Sequence, residues 1–414
     1  MLSLTEVIMV HTRQPDNAHW YHETQRSGTL ERVVTQVSDR SDGVTKADMS
    51  HSHNSEHHAE PGIFLLGVDD GIPAALAESL QRHAGVLSAS DALYQLLFPP
   101  IVELNHENRL SLYDRLSSAL TVAQVTGVQR LCSHYAERLT PLSSPDASRE
   151  SNMRLTQITQ YARQLASQPT LIDQHALQQL SEVGLTTADI IVLSQIIGFV
   201  GYQARVVAGL SALAGYPTVM LPGFPRMEDA SADLIPATVP QWQGWLPSLT
   251  ANDDSATESS SDETPITLHD LLERNSQSLP AYREITQQSA PPQIPADWLA
   301  LVALVSARIN GSIYCQAQHK QQLAIYASIN DSLIISALIT GVDSALAIEP
   351  TEQMTHSLID LSAQLTRSPE CFSHQSIHPL LALGVNYHQL LGIIITTASA
   401  GWTNRLRQAL GQTV

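Results

Sequence analysis

Ser306-Ala307-Arg308-Ile309-Asn310-Gly311-Ser312-Ile313-Tyr314-Cys315-Gln316-Ala317-Gln318-His319 is the stretch on which the fold and the chemistry of this chain both turn. Asn310-Gly311 breaks one helix, and Ser312 is a good N-cap for the next. Cys315 then falls in the first helical turn, where free N–H groups and the positive end of the helix dipole favour thiolate over thiol. His319 comes four residues later on the same face, where an imidazole takes the thiol proton or holds the thiolate as an ion pair. Ser312, three residues before the cysteine, faces the same way. The catalytic candidates are therefore Cys315, His319 and Ser312. The competing reading makes Cys315 a small buried hydrophobe, because a Cys–His pair at this spacing also arises by chance. No metal site is expected: Cys315 and His319 are two ligands where about four are usual, and no companion pair is evident.

Outward from this string the pattern stays helical. Pro295-Ala296-Asp297 signals the start of the preceding helix at Trp298, with Asp297 read as its cap. Residues 266–414 form one helical domain and residues 62–217 another. In the latter, Ser88-Ala89-Ser90-Asp91 is read as a helix start and Pro99-Pro100 as its stop. Residues 110–139 are helical with a break at Thr126-Gly127. Thr186-Thr187-Ala188-Asp189 caps a long apolar helix running through Leu213, ended by Gly215 and Pro217. Between the domains, residues 218–265 are Pro-rich and then acidic and Ser-rich (252–263), a composition that reads as a linker. Residues 1–61 read as poorly ordered. Within them the four histidines of 48–60 suit a polar linker better than a metal-binding tail, and His19-Trp20-Tyr21-His22-Glu23 carries no chemistry alone.

Two matches between the halves point to an internal repeat. Arg115-Leu116 through Val125-Thr126-Gly127 parallels Trp298-Leu299 through Ile309-Asn310-Gly311. Gly201-Tyr202-Gln203-Ala204-Arg205 lies 200 residues before Gly401-Trp402-Thr403-Asn404-Arg405. A chain of 414 residues, 43% hydrophobic and only 5% aromatic, fits two helical cores better than sheet. The net charge of −18 disfavours nucleic acid and anionic membranes as partners. No stretch approaches the ~20 apolar residues of a membrane span, the longest candidate being 390–401. Residues 1–10 lack a basic n-region and are not read as a signal peptide. Three cysteines, Cys132, Cys315 and Cys371, are too few for a disulfide framework, which leaves the cytoplasm as the default address. No Gly-rich phosphate loop is present, and no nucleotide, flavin or other cofactor is expected.

The motif string resembles the alkylhydroperoxidase D and carboxymuconolactone decarboxylase family, whose core reads roughly R-x-N-G-C-x-Y-C-x-x-x-H. Arg308, Asn310, Gly311, Tyr314, Cys315 and His319 match it. The layout, with a degenerate first copy and a better second one, resembles a tandem-domain enterobacterial branch of that family, as does the string at 19–25. The resemblance implies an all-α fold made by tandem duplication and a thiol-dependent peroxidase mechanism. In it Cys315 attacks a hydroperoxide and becomes a sulfenic acid, with His319 as the activating base. Two departures stand out. Ser312 replaces the family's first, resolving cysteine, and Ala300 falls where an upstream carboxylate belongs. Turnover then needs an external thiol as reductant, or Cys371 as a distant resolver, though a free loop thiol suits Cys371 better. The first copy has Val128, Leu131 and Tyr135 opposite Ser312, Cys315 and His319. Its Cys132 and His134, two apart, point to different faces, so that copy reads as structural. The runner-up functions are a non-catalytic helical scaffold or redox sensor, and a lyase or decarboxylase of the wider family. A homo-oligomer is left open.

Overall fold

The computed structural model describes residues 62–219, 227–232, 235–236, 238–247, 265–287, 293–326, 332–349 and 352–414. The readings made for residues 1–61 and for the acidic run at 252–263 lie outside them. All the described residues belong to one compact unit, 59–414.

Sixteen α-helices and two three-residue strands among the described residues make this an all-α protein. The first half runs α1 (Ala74–Arg82), α2 (Ala84–Leu97), α3 (Leu112–Thr126), α4 (Gln129–Leu139), α5 (Arg149–Ser167), α6 (Gln174–Glu182) and α7 (Thr187–Leu213). Strand β1 (Trp242–Gly244) follows, then α8 (Leu268–Leu272), α9 (Leu279–Gln287), α10 (Ala296–Asn310) and α11 (Ile313–Ile325). The chain ends with α12 (Ser332–Thr340), α13 (Val342–Leu346), α14 (Gln353–Arg367), α15 (His374–Ala382), α16 (Tyr387–Leu410) and strand β2 (Gly411–Thr413). The series α5, short 3-10 turn, α6, α7 recurs 200 residues later as α14, 3-10 turn, α15, α16.

Local chemistry sets the boundaries. Thr186 and Asp189 form a capping box at the start of α7, and Asn386 and Gln389 do the same for α16. Gly127 (φ 69°) and Gly311 (φ 75°) end α3 and α10 in the left-handed conformation that glycine adopts without a Cβ penalty. One expected start is wrong: Ser88-Ala89-Ser90-Asp91 lies inside α2, which begins at Ala84. Ser90 spends its hydroxyl on the Val86 carbonyl, and the Asp91 carboxylate accepts from the Phe64 amide of another segment, so neither caps a helix.

The core is built where α7 and α16 pack together. Gly198 lets the Trp402 indole approach so closely that a Cβ there would stand 2.1 Å from the ring. Gly209 does the same for Ile394, at 2.5 Å. Trp402 stacks on Tyr202, with centroids 5.7 Å apart, and takes Tyr282 edge-on at 5.0 Å. Two buried arginines tie the halves reciprocally. Arg205 donates to Gly201 O of its own helix and to Thr366 O of the second half; Arg405 donates to Gly401 O and to Ala166 O of the first. Burial lowers both guanidinium pKa values, that of Arg205 to about 10, and the carbonyl partners meet much of their donor demand. α7 is also the one helix, among the described residues, long and apolar enough to cross a membrane; 94% of its most apolar window is buried within the protein. The apolar stretch 390–401 that the sequence points to lies in α16.

Candidate functional site

Cys315 occupies the first turn of α11, as its spacing from Gly311 requires, and is 2% exposed. Ser312 holds the N-cap position, yet its side chain makes no capping bond. Its hydroxyl lies instead by the Cys315 thiol, and so does the guanidinium of Arg407, reaching in from α16. Arg407 is held between two rings, 3.9 Å from the Tyr314 centroid and 5.6 Å from that of Trp242. Trp242 also donates its indole N–H to the Arg407 carbonyl at 2.9 Å. That contact is braced by β1 pairing antiparallel with β2, Trp242 opposite Thr413.

The expectation of a resting thiolate is corrected here. Burial pushes the Cys315 thiol up, and the opposing pull of Arg407 and Ser312 is smaller. The helix terminus is present, but desolvation of a fully enclosed sulfur outweighs it. His319 is driven the other way: burial lowers its pKa, against a raising hydrogen bond to Gln322. Its Nδ1 pairs with Gln322 Oε1 at 2.9 Å, so the residue it bonds is Gln322 and not Cys315. The resting site is thus a neutral thiol and a neutral imidazole on one helix, with a guanidinium beside the sulfur.

Asp297 lies in the first turn of α10 beyond an N-cap that is Pro295 and makes no side-chain cap, so the role of capping residue assigned to it is not the one it plays. The side chain that His319 does bond, Gln322, lies three residues later on the same helix. Neither Arg407 nor Gln322 was singled out in the sequence. The signal for Arg407 was faint: it stands where the first half has Val207, in otherwise parallel helices. Gln322→Leu is expected to lower the His319 pKa further and Gln322→Glu to raise it, read by NMR titration of the imidazole. Equal values in all three proteins would rule out an orienting bond.

The counterpart region of the first half holds no such cluster. Leu131 and Tyr135 are buried, and the Tyr135 hydroxyl donates to Gln203 at 2.6 Å. Burial pushes the Cys132 thiol up to about 11 and His134 down to about 4. The His134 ring pairs with the Tyr94 hydroxyl rather than with Cys132. Above α4 lies an open cavity of about 750 Å³, lined among others by Gly127, Arg130, His134, Val207 and Glu370. Glu370 comes from the second half; burial raises its pKa, and the exposed Cys371 thiol donates to it at 3.5 Å. All three cysteines are free thiols. Among the described residues no three His, Cys, Asp or Glu side chains converge as a metal-binding group.

Fold and site together define an all-α protein with an enclosed cysteine beside an arginine, and a neutral histidine four residues further along the same helix. No protein-family model matches the chain, and no curated protein matches it.

Proposed function

We propose that this chain is a single-cysteine, peroxide-reducing thiol protein related to the alkylhydroperoxidase D-like proteins, with Cys315 as the reacting group. The observation that carries the reading is Arg407, a cation fixed beside the Cys315 sulfur by the rings of Tyr314 and Trp242. Once the thiol proton passes to His319, Arg407 stabilises the thiolate. The thiolate attacks the distal oxygen of a hydroperoxide: an S–O bond forms, the O–O bond breaks, and the leaving alkoxide takes the proton as an alcohol. Cys315 is oxidised to the sulfenic acid. An external thiol then displaces water to give a mixed disulfide, and a second thiol releases Cys315 reduced. Ser312 orients the sulfur.

The reciprocal Arg205 and Arg405 contacts and the 200-residue recurrence of helices favour an origin by tandem duplication. On that reading the first half serves as the structural partner of the second.

A second reading, the scaffold or redox sensor, is favoured by the 2% exposure of Cys315 and its raised pKa. One experiment separates the two, in a Cys132→Ser, Cys371→Ser background treated with cumene hydroperoxide and dimedone. With dithiothreitol as the external thiol the peroxidase reading expects many equivalents of peroxide consumed per Cys315, where a sensor stops at one, and a dimedone adduct on Cys315 when the thiol is left out. Both vanish in Cys315→Ser, and both slow by about tenfold or more in Arg407→Met. Peroxide loss no faster than in buffer sinks that reading and leaves the scaffold.

A further inference from the structure

Buried arginines of this protein are matched by carboxylates or by backbone carbonyls. Arg367 holds Asp229 at 2.6 Å and Asp343 at 2.7 Å, and Arg154 holds Asp114 at 3.1 Å. Arg205 and Arg405 each donate both Nη groups to carbonyls. Among the described residues Arg407 has neither kind of partner. Its guanidinium lies 3.9 Å from the Tyr314 centroid and 5.6 Å from that of Trp242, and rings steady a cation without taking up its N–H groups as an anion does. Its Nε is buried with no hydrogen-bond partner, and no described carboxylate lies within ion-pair distance of it.

The titratable groups around Arg407 do not supply the missing anion. Burial pushes the Cys315 thiol and the Tyr282 phenol up, and it pushes the imidazoles of His319 and His269 down, so all four are neutral near pH 7. Asp270 and Glu273 act on His269 from α8. The Asp270 carboxylate is taken by the amide and the hydroxyl of Thr267, both at 2.7 Å, and neither acid pairs with Arg407. α11 also starts at Ile313 without a side-chain cap, so the positive end of its dipole adds to Arg407 at Cys315, in its first turn. In a chain of net charge −18 this is a local positive field.

The first half has no counterpart to this cation: Val207 stands 200 residues before Arg407, and Leu131 stands opposite Cys315. Arg407 and Tyr314 are half-buried where Cys315 is 2% exposed, so the cation is the more reachable of the two groups. The oxidation state of the sulfur decides when its charge is free. While Cys315 is a thiolate, Arg407 balances that charge. Once Cys315 carries oxygen as the protonated sulfenic acid, the guanidinium faces no anion of the protein. The step that comes next is reduction by an external thiol.

We propose that Arg407 binds a carboxylate on that external thiol, so that the reductant of Cys315 is a small thiol acid rather than a neutral or cationic thiol. With Cys315 as the peroxide-reducing group, the reading on which this rests, the thiol sulfur attacks the sulfenic sulfur. An S–S bond forms, the S–O bond breaks, and the hydroxyl leaves as water with the thiol's proton. A second thiol attacks the outer sulfur of the mixed disulfide; the reductant leaves as its disulfide, and the second thiol's proton restores the Cys315 thiol. A carboxylate held bidentately on Arg407 places the incoming sulfur against Cys315.

The charge preference is measured without peroxide, by alkylating Cys315 with iodoacetate and with iodoacetamide at one pH in the Cys132→Ser, Cys371→Ser protein. The ratio of the two rates cancels the nucleophilicity and exposure of the sulfur, and comparison with Arg407→Met cancels the reagents' own reactivities. The iodoacetate-to-iodoacetamide ratio is expected to fall about tenfold or more in Arg407→Met and less in Arg407→Lys, with the helical circular dichroism unchanged. An equal ratio in the folded Arg407→Met protein overturns the carboxylate site, and so does a Cys315 that neither reagent modifies short of unfolding in urea. Should Arg407→Met unfold, competition in the protein that keeps Arg407 decides. Propionate slowing iodoacetate where propionamide does not supports the site, and equal effects overturn it. Turnover of cumene hydroperoxide with mercaptoacetate, mercaptoethanol or cysteamine then tests the reductant. Arg407→Met is expected to cost mercaptoacetate about tenfold or more in kcat/KM beyond what it costs the other two. Charge-selective alkylation with no turnover by any of the three leaves the carboxylate site standing and removes the peroxidase reading, and the reductant with it. Turnover whose loss in Arg407→Met is the same for all three thiols overturns the thiol-acid reductant and leaves the peroxidase reading.

Discussion

Trp402→Ala is expected to lower the free energy of unfolding by about 3–5 kcal/mol, the range for removing a fully buried tryptophan from a packed core. Trp402 is 1% exposed and sits where α7, α16 and α9 meet, against Gly198, Phe199, Tyr202 and Tyr282. Nothing nearby can collapse into the space. Gly198 has no side chain to extend, Tyr202 is committed to the Ser90 hydroxyl at 2.9 Å, and Tyr282 to Thr403 at 3.1 Å. Trp402→Phe keeps a ring in place and should lose less than half as much. Gly198→Val tests the same contact from the other side, since its branches would have to occupy the indole's position, and overpacking of this kind costs about 1–3 kcal/mol. Urea denaturation measures all three. A Trp402→Ala loss below about 1 kcal/mol would show that the helix pair is not what holds the two halves as one unit.

Much of this architecture was legible because its signals are local. Thr186 with Asp189, Gly127 and Gly311 each fix a helix end through bonds within four residues, and each lies where its spacing requires. The parallel between Gly201–Arg205 and Gly401–Arg405 was also legible, but its purpose was not. Arg205 binds a carbonyl 161 residues away and Arg405 one 239 residues away, and no local pattern encodes such partners. The α2 start failed for the same reason, because Asp91 is spent on Phe64 of a preceding segment. The site fared similarly. Cys315, Ser312 and His319 fall on one helix at the expected spacing, but local reasoning weighs only the helix terminus. The burial that raises the thiol pKa comes from tertiary packing, and the Arg407 guanidinium that opposes it reaches in from α16, 92 residues along the chain.

Acid should destabilise the protein steeply below about pH 6.5, the ordinary histidine value. Burial lowers the pKa of His83, His134, His269, His319 and His388 alike. The neighbours mostly reinforce it: Arg138 acts on His134, Arg407 on His319 and His269, Arg283 on His269 and Arg82 on His388. Asp270 and Glu273 oppose it only at His269, and at His83 and His319 hydrogen bonds to Ser79 and Gln322 oppose it. Between the folded and unfolded values the unfolded chain binds more protons, so stability increases with pH in that window and is lost as pH falls through it. Above 6.5 both states are neutral at these rings and the contribution is complete. For His134 the window extends down to about pH 4. Each histidine contributes up to about a tenfold change in the folding constant per pH unit. Glu370 works against the trend, because its raised pKa makes the folded state the better proton acceptor there. The pair His83 and His388 is the sharpest case, with ring centroids 4.6 Å apart and both rings buried between α1 and α16. Protonating either places a charge against the other, so His83→Gln and His388→Gln should each flatten the dependence. Urea midpoints at pH 7.5, 6.5 and 5.5 give the measurement. Stability that holds or rises from 6.5 to 5.5 would mean that these histidines are charged in the folded protein, and that their rings are not enclosed as the α1–α16 packing requires.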